Sequence, residues 1–255
     1  MKKLLSLILV SAMVFNIAIY VKASDFTEVS IDEIDNLLRE ANTPESKISE
    51  MDEGLKRFIY ENSLSREDVE YINVEKEETT GGSARTGDQI SQSELKLSVI
   101  AFKVYGQEQV AIYPTYEWLV PVKPRGKDYF GYSTHDSYSV VSNERSNLMW
   151  YKINENDEWE SDGSATYTGS SMTGYQHYGS SLGSPDFPLY LRGNFYYKVD
   201  INSTSPVKKI AIAYVHDTSS GLGLSYGIAY GPLSISVTPS SNNTRYLNNV
   251  FNLDY

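Results

Sequence analysis

The sequence predicts a mainly β protein: an antiparallel β-sandwich or barrel-like domain preceded by a short helical segment. Three observations carry that prediction. Beyond Leu95 the apolar residues recur with a period of two, in many short runs separated by Gly, Pro, Asn and Asp turn clusters, which indicates antiparallel strands. Before residue 74 the apolar spacing is three and four instead, the period of an amphipathic helix. The 255 residues are 40% hydrophobic and 13% aromatic and contain no Cys, so the core must hold by packing alone, without disulfides.

Residues 1–23 read as a signal peptide. Lys2 and Lys3 precede an apolar run, 4–20, broken only by Ser6, Ser11 and Asn16. Val21-Lys22-Ala23 then places small residues where a signal peptidase reads, so cleavage is expected after Ala23 and the protein is expected to be secreted. Residues 24–73 form an acidic helical segment. Ser30-Ile31-Asp32-Glu33 is a capping box, and Ile31, Ile34, Leu37, Leu38 and Ala41 follow at helical spacing. A second stripe, Ile48, Met51, Leu55, Phe58 and Ile59, continues after Thr43-Pro44. Such short helices need something to dock on.

Residues 74–89 read as a flexible linker, charged and then rich in Gly, Ser and Thr, with Arg85 open to a trypsin-like protease. Residues 24–87 carry 17 acids against 7 bases, and residues 88–255 carry 16 against 12. This break in charge and period predicts that 88–255 folds without 24–80. The β domain spans 90–240, with candidate strands at 95–104, 109–114, 116–122, 138–141, 148–153, 187–191, 194–199, 208–216, 222–230 and 233–238. Residues 161–188 read as a long surface loop, and 241–255 as a C-terminal tail.

Within the β domain, "GLGLSYGIAYGPLSISVTP", 221–239, alternates bulky and small residues. With 208–216 as its partner, it has the look of a pore hairpin, the nine residues Leu222–Tyr230 being near the ~9–11 a tilted membrane strand needs. A pore, however, lines its lumen with polar side chains. Here the small face is Gly223, Ser225, Gly227 and Ala229, and 208–216 is apolar on both sides. The hairpin is expected in the core, its small face closely covered by a second layer.

The chemistry-bearing motifs are few. Gly179-Ser180-Ser181-Leu182-Gly183 matches a nucleophile elbow, but Pro185 and Pro188 deny the helix that the elbow requires. His135, His177 and His216 stand alone on separate segments, without the convergence a zinc site needs. The acidic stretch 154–163 lacks the spacing of a calcium loop and reads as a solvated turn. The sequence therefore nominates no catalytic residue, no cofactor and no metal ligand. Aromatic side chains are the richer population, with 21 Tyr and 3 Trp. Rings with a polar tip bind sugars and proteins while losing little entropy, and Tyr116, Trp118, Trp150 and Trp159 are the candidate binding residues. A net charge of −11 excludes nucleic acid as a partner and excludes strong electrostatic membrane binding.

Two stretches carry a resemblance: "NTPESKISEMDEGLKRFIYEN", 42–62, and "YPTYEWLVPVKPRGKDYFGYS", 113–133. They resemble a group of small exported proteins of Bacillus and related Firmicutes that have no assigned function. The extra prolines after Trp118 depart from that pattern. The resemblance implies an exported helical-plus-β protein and supplies no activity, substrate or catalytic residue. The combined expectation is a secreted, non-catalytic extracellular binding or interaction protein, its partner a cell-wall glycan or another extracellular protein. Two alternatives stay open: a membrane-active protein, pore-forming or bacteriocin-like, using 208–238, and a secreted hydrolase.

Overall fold

A computed structural model describes residues 29–77, 89–122, 128–135, 137–163, 166–168, 172–175, 188–217, 227–231, 234–238 and 244–255. The signal peptide, Arg85, the 179–183 motif, His177 and residues 222–226 lie outside them.

Helix α1, Ile31–Glu40, starts at the capping box read from the sequence. The Ser30 backbone N–H donates to Glu33 Oε2 at 2.9 Å, and the Glu33 N–H donates to Ser30 Oγ at 3.3 Å. Helix α2, Glu45–Glu50, and helix α3, Glu53–Ile59, follow, and α3 runs into a π-helical turn, Tyr60–Leu64. The apolar stripe of these helices, with Ile34, Leu38, Ile48, Phe58 and Ile59 fully buried, packs on Phe102, Val104, Ala111, Tyr113 and Tyr196 of the β domain. The docking surface that short helices require is therefore one face of a sheet.

The strands are β1 (Val69–Lys76), β2 (Leu95–Val104), β3 (Gln109–Trp118), β4 (Asp128–Thr134), β5 (Tyr138–Lys152), β6 (Glu160–Gly163), β7 (Thr166–Thr168), β8 (Met172–Tyr175), β9 (Tyr190–Ile201), β10 (Lys209–Asp217), β11 (Gly227–Gly231), β12 (Ser234–Thr238) and β13 (Thr244–Asp254). Eleven of them form one antiparallel sheet in the order β6-β5-β9-β3-β2-β1-β13-β10-β4-β8-β7. Strand β1 is its corner. Val69–Ile72 pairs with β2, while Asn73–Lys76 pairs with β13. The two halves on either side of that corner face each other as a sandwich. Rings interlock across it: Tyr116 with Tyr214 at 4.7 Å, Phe130 with Phe195 at 4.7 Å, and Tyr132 stacked on Tyr197 at 3.9 Å. The mainly β sandwich with a preceding helical segment is the class the sequence predicts.

Several boundaries are corrected. The segment read as helical up to 73 and as linker from 74 contains β1, which is apolar on both faces. Val69 and Tyr71 lie under the helices, and Ile72 and Val74 face the sandwich core. Its buried residues, Val69 and Ile72, fall on opposite faces while Asn73, Glu75 and Lys76 are exposed, so no period of two marks it. The tail expected at 241–255 is mostly β13, an interior strand between β1 and β10. Its inward positions are Leu247, Asn249, Phe251 and Leu253, and the buried Asn249 interrupts the apolar alternation. The strands expected at 109–114 and 116–122 are one strand ending at Trp118 and running through Pro114, whose missing N–H falls where the ladder to β9 skips Tyr113 and Pro114. Residues 138–141 and 148–153 are likewise one strand, bulged between Val140 and Arg145, with Asn143 at φ +66°.

Among the described residues, 227–230 do not pair with 208–216 as the expected hairpin would have them. Strand β10 pairs with β4 and β13, and β11 pairs with β12 as a separate ribbon. Strand β12 packs against β10 and β4. Among the described residues no helix is long and apolar enough to cross a membrane.

Two predictions follow from this packing. An ideal Cβ at Gly193 would lie 2.4 Å from Tyr116 Cε1 and 2.8 Å from its Cζ and hydroxyl. Tyr116 is wedged among Phe130, Phe195 and Tyr214 and has nowhere to move. Gly193→Ala is expected to cost about 1–3 kcal/mol by overpacking, read as a lower urea midpoint at unchanged m-value.

Burial pushes the hydroxyl pKa values of Tyr113, Tyr138, Tyr196 and Tyr197 far above that of a free tyrosine. The folded pKa is raised, so the stability these groups hold is complete below the unfolded value of about 10 and is lost as pH rises past it. Phenolate absorbance is expected to rise in two phases: exposed tyrosines first, then a cooperative step that coincides with loss of the near-ultraviolet circular dichroism signal.

Candidate functional site

The four sequence-nominated aromatics divide into two pairs. Tyr116 and Trp118 point into the sandwich and are each 1% exposed. Their binding role is corrected: they are core, because they alternate in phase with Val110 and Ile112, which also face inward. Trp150 and Trp159 are only half-buried and stand together on the outer face of the helix-bearing half of the sandwich.

Strand register builds this place. Trp150 on β5 lies opposite Arg192 on β9, which lies opposite Glu117 on β3, which lies opposite Lys96 on β2. On the other side Trp150 faces Ser161 of β6. One row further along, Lys152 lies opposite Tyr190. The side chains alternate ring and cation. The Arg192 guanidinium carbon is 4.8 Å from the Trp150 ring centroid and 4.4 Å from that of Trp159. Lys152 Nζ is 4.9 Å from the Trp159 centroid and 5.3 Å from that of Tyr190. Arg192 is 6% exposed, so the indoles roof the guanidinium and keep their remaining exposure on the solvent side. Cation–ring contacts of this kind contribute on the order of 0.5–2 kcal/mol each, more when desolvated.

Helix α3 locks the row from the other end. Asp52 caps the helix, accepting from the Leu55 N–H at 3.1 Å, and also holds Arg192 Nη1 at 2.8 Å. A Cβ on Gly54 would sit 3.0 Å from Arg192 Nη2 and 3.5 Å from Trp150 Cζ2; the bare glycine is what lets the guanidinium and the indole close on the helix. Burial pulls the Arg192 pKa below that of a free guanidinium, and the charges of Asp52 and Glu117 oppose that pull. The acidic stretch after β5 is a turn, as the sequence reading has it. Asp157 Oδ2 accepts from the Asn154 N–H and Nδ2, both at 2.9 Å, and Glu160 accepts from the Tyr151 hydroxyl at 2.5 Å. That turn delivers Trp159 onto Arg192. Sequence reasoning missed Arg192, Lys152 and Tyr190. The one signal for Arg192 is a cation near the start of the apolar run of β9, Tyr190–Ile201.

A second polar cluster lies inside the sandwich. Asp128, 3% exposed, accepts from the Tyr214 hydroxyl at 2.5 Å and is 3.0 Å from His216 Nδ1. The Trp118 ring lies edge-on to His216 at 5.3 Å. A carboxylate on Nδ1 orients an imidazole as in a general-base pair, but His216 is 5% exposed, so the pair ties β4 to β10 within the core. His135 caps a turn, its Nδ1 accepting from the Ser137 N–H at 3.1 Å.

No family model and no curated protein matches the sequence. Among solved structures the chain is similar to the T6 backbone pilin of serotype M6 Streptococcus pyogenes, a modular three-domain protein, at 13% identity and a TM-score of 0.34, covering 64% of this chain and 36% of that one. It is also similar to ACE19, the collagen binding subdomain of the Enterococcus faecalis surface protein ACE, at 8% identity and a TM-score of 0.30, covering 60% of this chain and 92% of that one. The pilus backbone protein RrgB of Streptococcus pneumoniae matches at 5% identity and a TM-score of 0.27, covering 62% of this chain and 44% of that one. The chain thus spans about a third to a half of the two pilins. Likenesses this low assign no residue and no activity.

Proposed function

We propose that the chain is a secreted, non-catalytic extracellular binding protein, and that the Trp150–Arg192–Trp159–Lys152–Tyr190 row is its binding surface. One observation carries the reading: two half-exposed tryptophans are held rigid by a buried cation on the stretch of sheet face that the helices leave uncovered. Rings fixed in advance lose little entropy when a ligand covers them. Secretion rests on the basic start, apolar run and Val-Lys-Ala end of residues 1–23, and N-terminal sequencing of exported protein tests it, with Ser24 expected first.

Tryptophan emission tests the binding surface. Two of the three tryptophans sit in the row and Trp118 is sealed in the core, so a ligand on the row is expected to shift the emission maximum. The panel is purified cell-wall polymer, collagen and host-surface glycoprotein. Trp159→Ala is expected to weaken the responding ligand tenfold or more, about 1.4 kcal/mol, at an unchanged melting temperature. Turnover of any panel member, or binding that Trp159→Ala leaves intact, would overturn the reading.

A further inference from the structure

We infer that the ligand of this row is an uncharged polysaccharide chain, an inference that rests on the binding reading above. Charge and surface chemistry carry it. The row holds two cations, Arg192 and Lys152, but neither is offered outward as an anion clamp. Arg192 is buried and paired with Asp52, and the Lys152 ammonium donates to the Glu155 carbonyl at 2.5 Å. The rim is acidic: Glu155, Asp157 and Glu158 are exposed on the turn that carries Trp159. A polyanion, whether teichoic phosphate, uronic acid or nucleic acid, would meet those carboxylates and find no clustered free bases. A polycation would be drawn to the rim but would meet Lys152 at the rings. A ligand without net charge meets neither penalty.

The surface also supplies what a sugar uses. A pyranose presents an apolar C–H face, which packs on an indole or phenol ring, and hydroxyls at its edge, which both donate and accept. Trp150, Trp159 and Tyr190 provide rings on three separate segments. Leu119, 44% exposed, stands just past the end of β3, and Ile153, 39% exposed, just past the end of β5. The turn carboxylates and the Lys152 ammonium provide acceptors and donors of both kinds. Trp150 and Tyr190 lie on adjacent strands, β5 and β9, spaced about 4.8 Å apart, with Trp159 on the turn beside them, an open arrangement that suits an extended chain rather than a single residue.

The test is titration of the full mature chain with hexasaccharides, by calorimetry and tryptophan emission. The probes are cello-, chito-, laminari- and mannohexaose, with polygalacturonate and chitosan oligomers as the charged controls. At least one uncharged hexaose is expected to bind with a Kd at or below about 1 mM, and each charged oligomer at least tenfold more weakly. Trp159→Ala and, as a milder change, Tyr190→Ala are expected to weaken the uncharged hexaose at least tenfold and threefold respectively, with circular dichroism unchanged. A charged oligomer binding as tightly as the best uncharged one, or no response to any uncharged hexaose, would overturn the inference. In the latter case a collagen or glycoprotein response lost in Trp159→Ala would leave the binding reading standing, and no Trp159-dependent response to anything would overturn both.

Discussion

A fragment comprising residues 88–255 is expected to show no cooperative thermal or urea transition, although the break in charge and period at the linker predicts that it folds alone. The reason is the place of β1. It is the strand through which β2 joins β13, by Val69–Ile72 on one side and Asn73–Lys76 on the other. Removing it splits the sheet and leaves two unpaired edges facing each other. Removing the helices as well uncovers Phe102, Ala111, Tyr113 and Tyr196, all at most 1% exposed in the whole chain. Re-exposing the three aromatic side chains costs roughly 1.5–3 kcal/mol each, which together is comparable with the ~5–15 kcal/mol that stabilises a domain of ordinary size. Fragment 67–255, which keeps β1 but not the helices, separates the two contributions. It is expected to be partly structured and to bind a hydrophobic dye through the bared face. A sharp melt from 88–255 matching that of the full chain would show the helical layer and β1 to be dispensable.

Lys198→Met is expected to be the most damaging single substitution, at about 3–5 kcal/mol. The Lys198 side chain is 4% exposed, its Nζ lies 2.5 Å from Glu67 Oε1 and 3.9 Å from Glu144 Oε2, and it joins β9 to the segment leaving the π-helical turn. Glu144 also accepts from the Tyr196 hydroxyl at 2.9 Å and holds Arg66 at 3.2 Å. Without the ammonium, two carboxylates are left in a largely desolvated seam with Arg66 as the remaining cation. Methionine keeps most of the apolar stem, so the loss reports charge rather than packing. Adding Glu67→Gln to Lys198→Met is expected to recover at least half of the deficit, since removing both partners costs less than stranding one. Urea denaturation of the four proteins in that cycle checks it; a single-variant cost below about 1 kcal/mol would mean that the pair behaves as an exposed one.

Read by itself, the sequence determined the local periods. The capping box at Ser30 and Glu33 and the helical stripe behind it are satisfied within four residues of chain, so they form where the sequence places them. Strand β2 has the bounds its alternation predicts, Leu95–Val104, because Leu95, Leu97, Val99 and Ala101 line one face toward the sandwich core and the neighbours at both ends are turn residues. The tertiary structure decided everything that depends on what covers the second face. Strand β1 buries Val69 and Ile72 on opposite faces and exposes Asn73, Glu75 and Lys76, and β13 carries an inward Asn249, so neither shows a clean period, although both are central. Alternation marks Trp118 and Trp150 equally well as strand aromatics. Which one is core and which one is surface depends on the other half of the sandwich closing over β3 while the helices stop short of the end of β5. Arg192 reads as an odd cation in an apolar strand until register sets it between two indoles and beneath Asp52, more than 130 residues away in the chain. Contacts of that span have no local signature, because the energy that makes them arises only when the sheet has assembled.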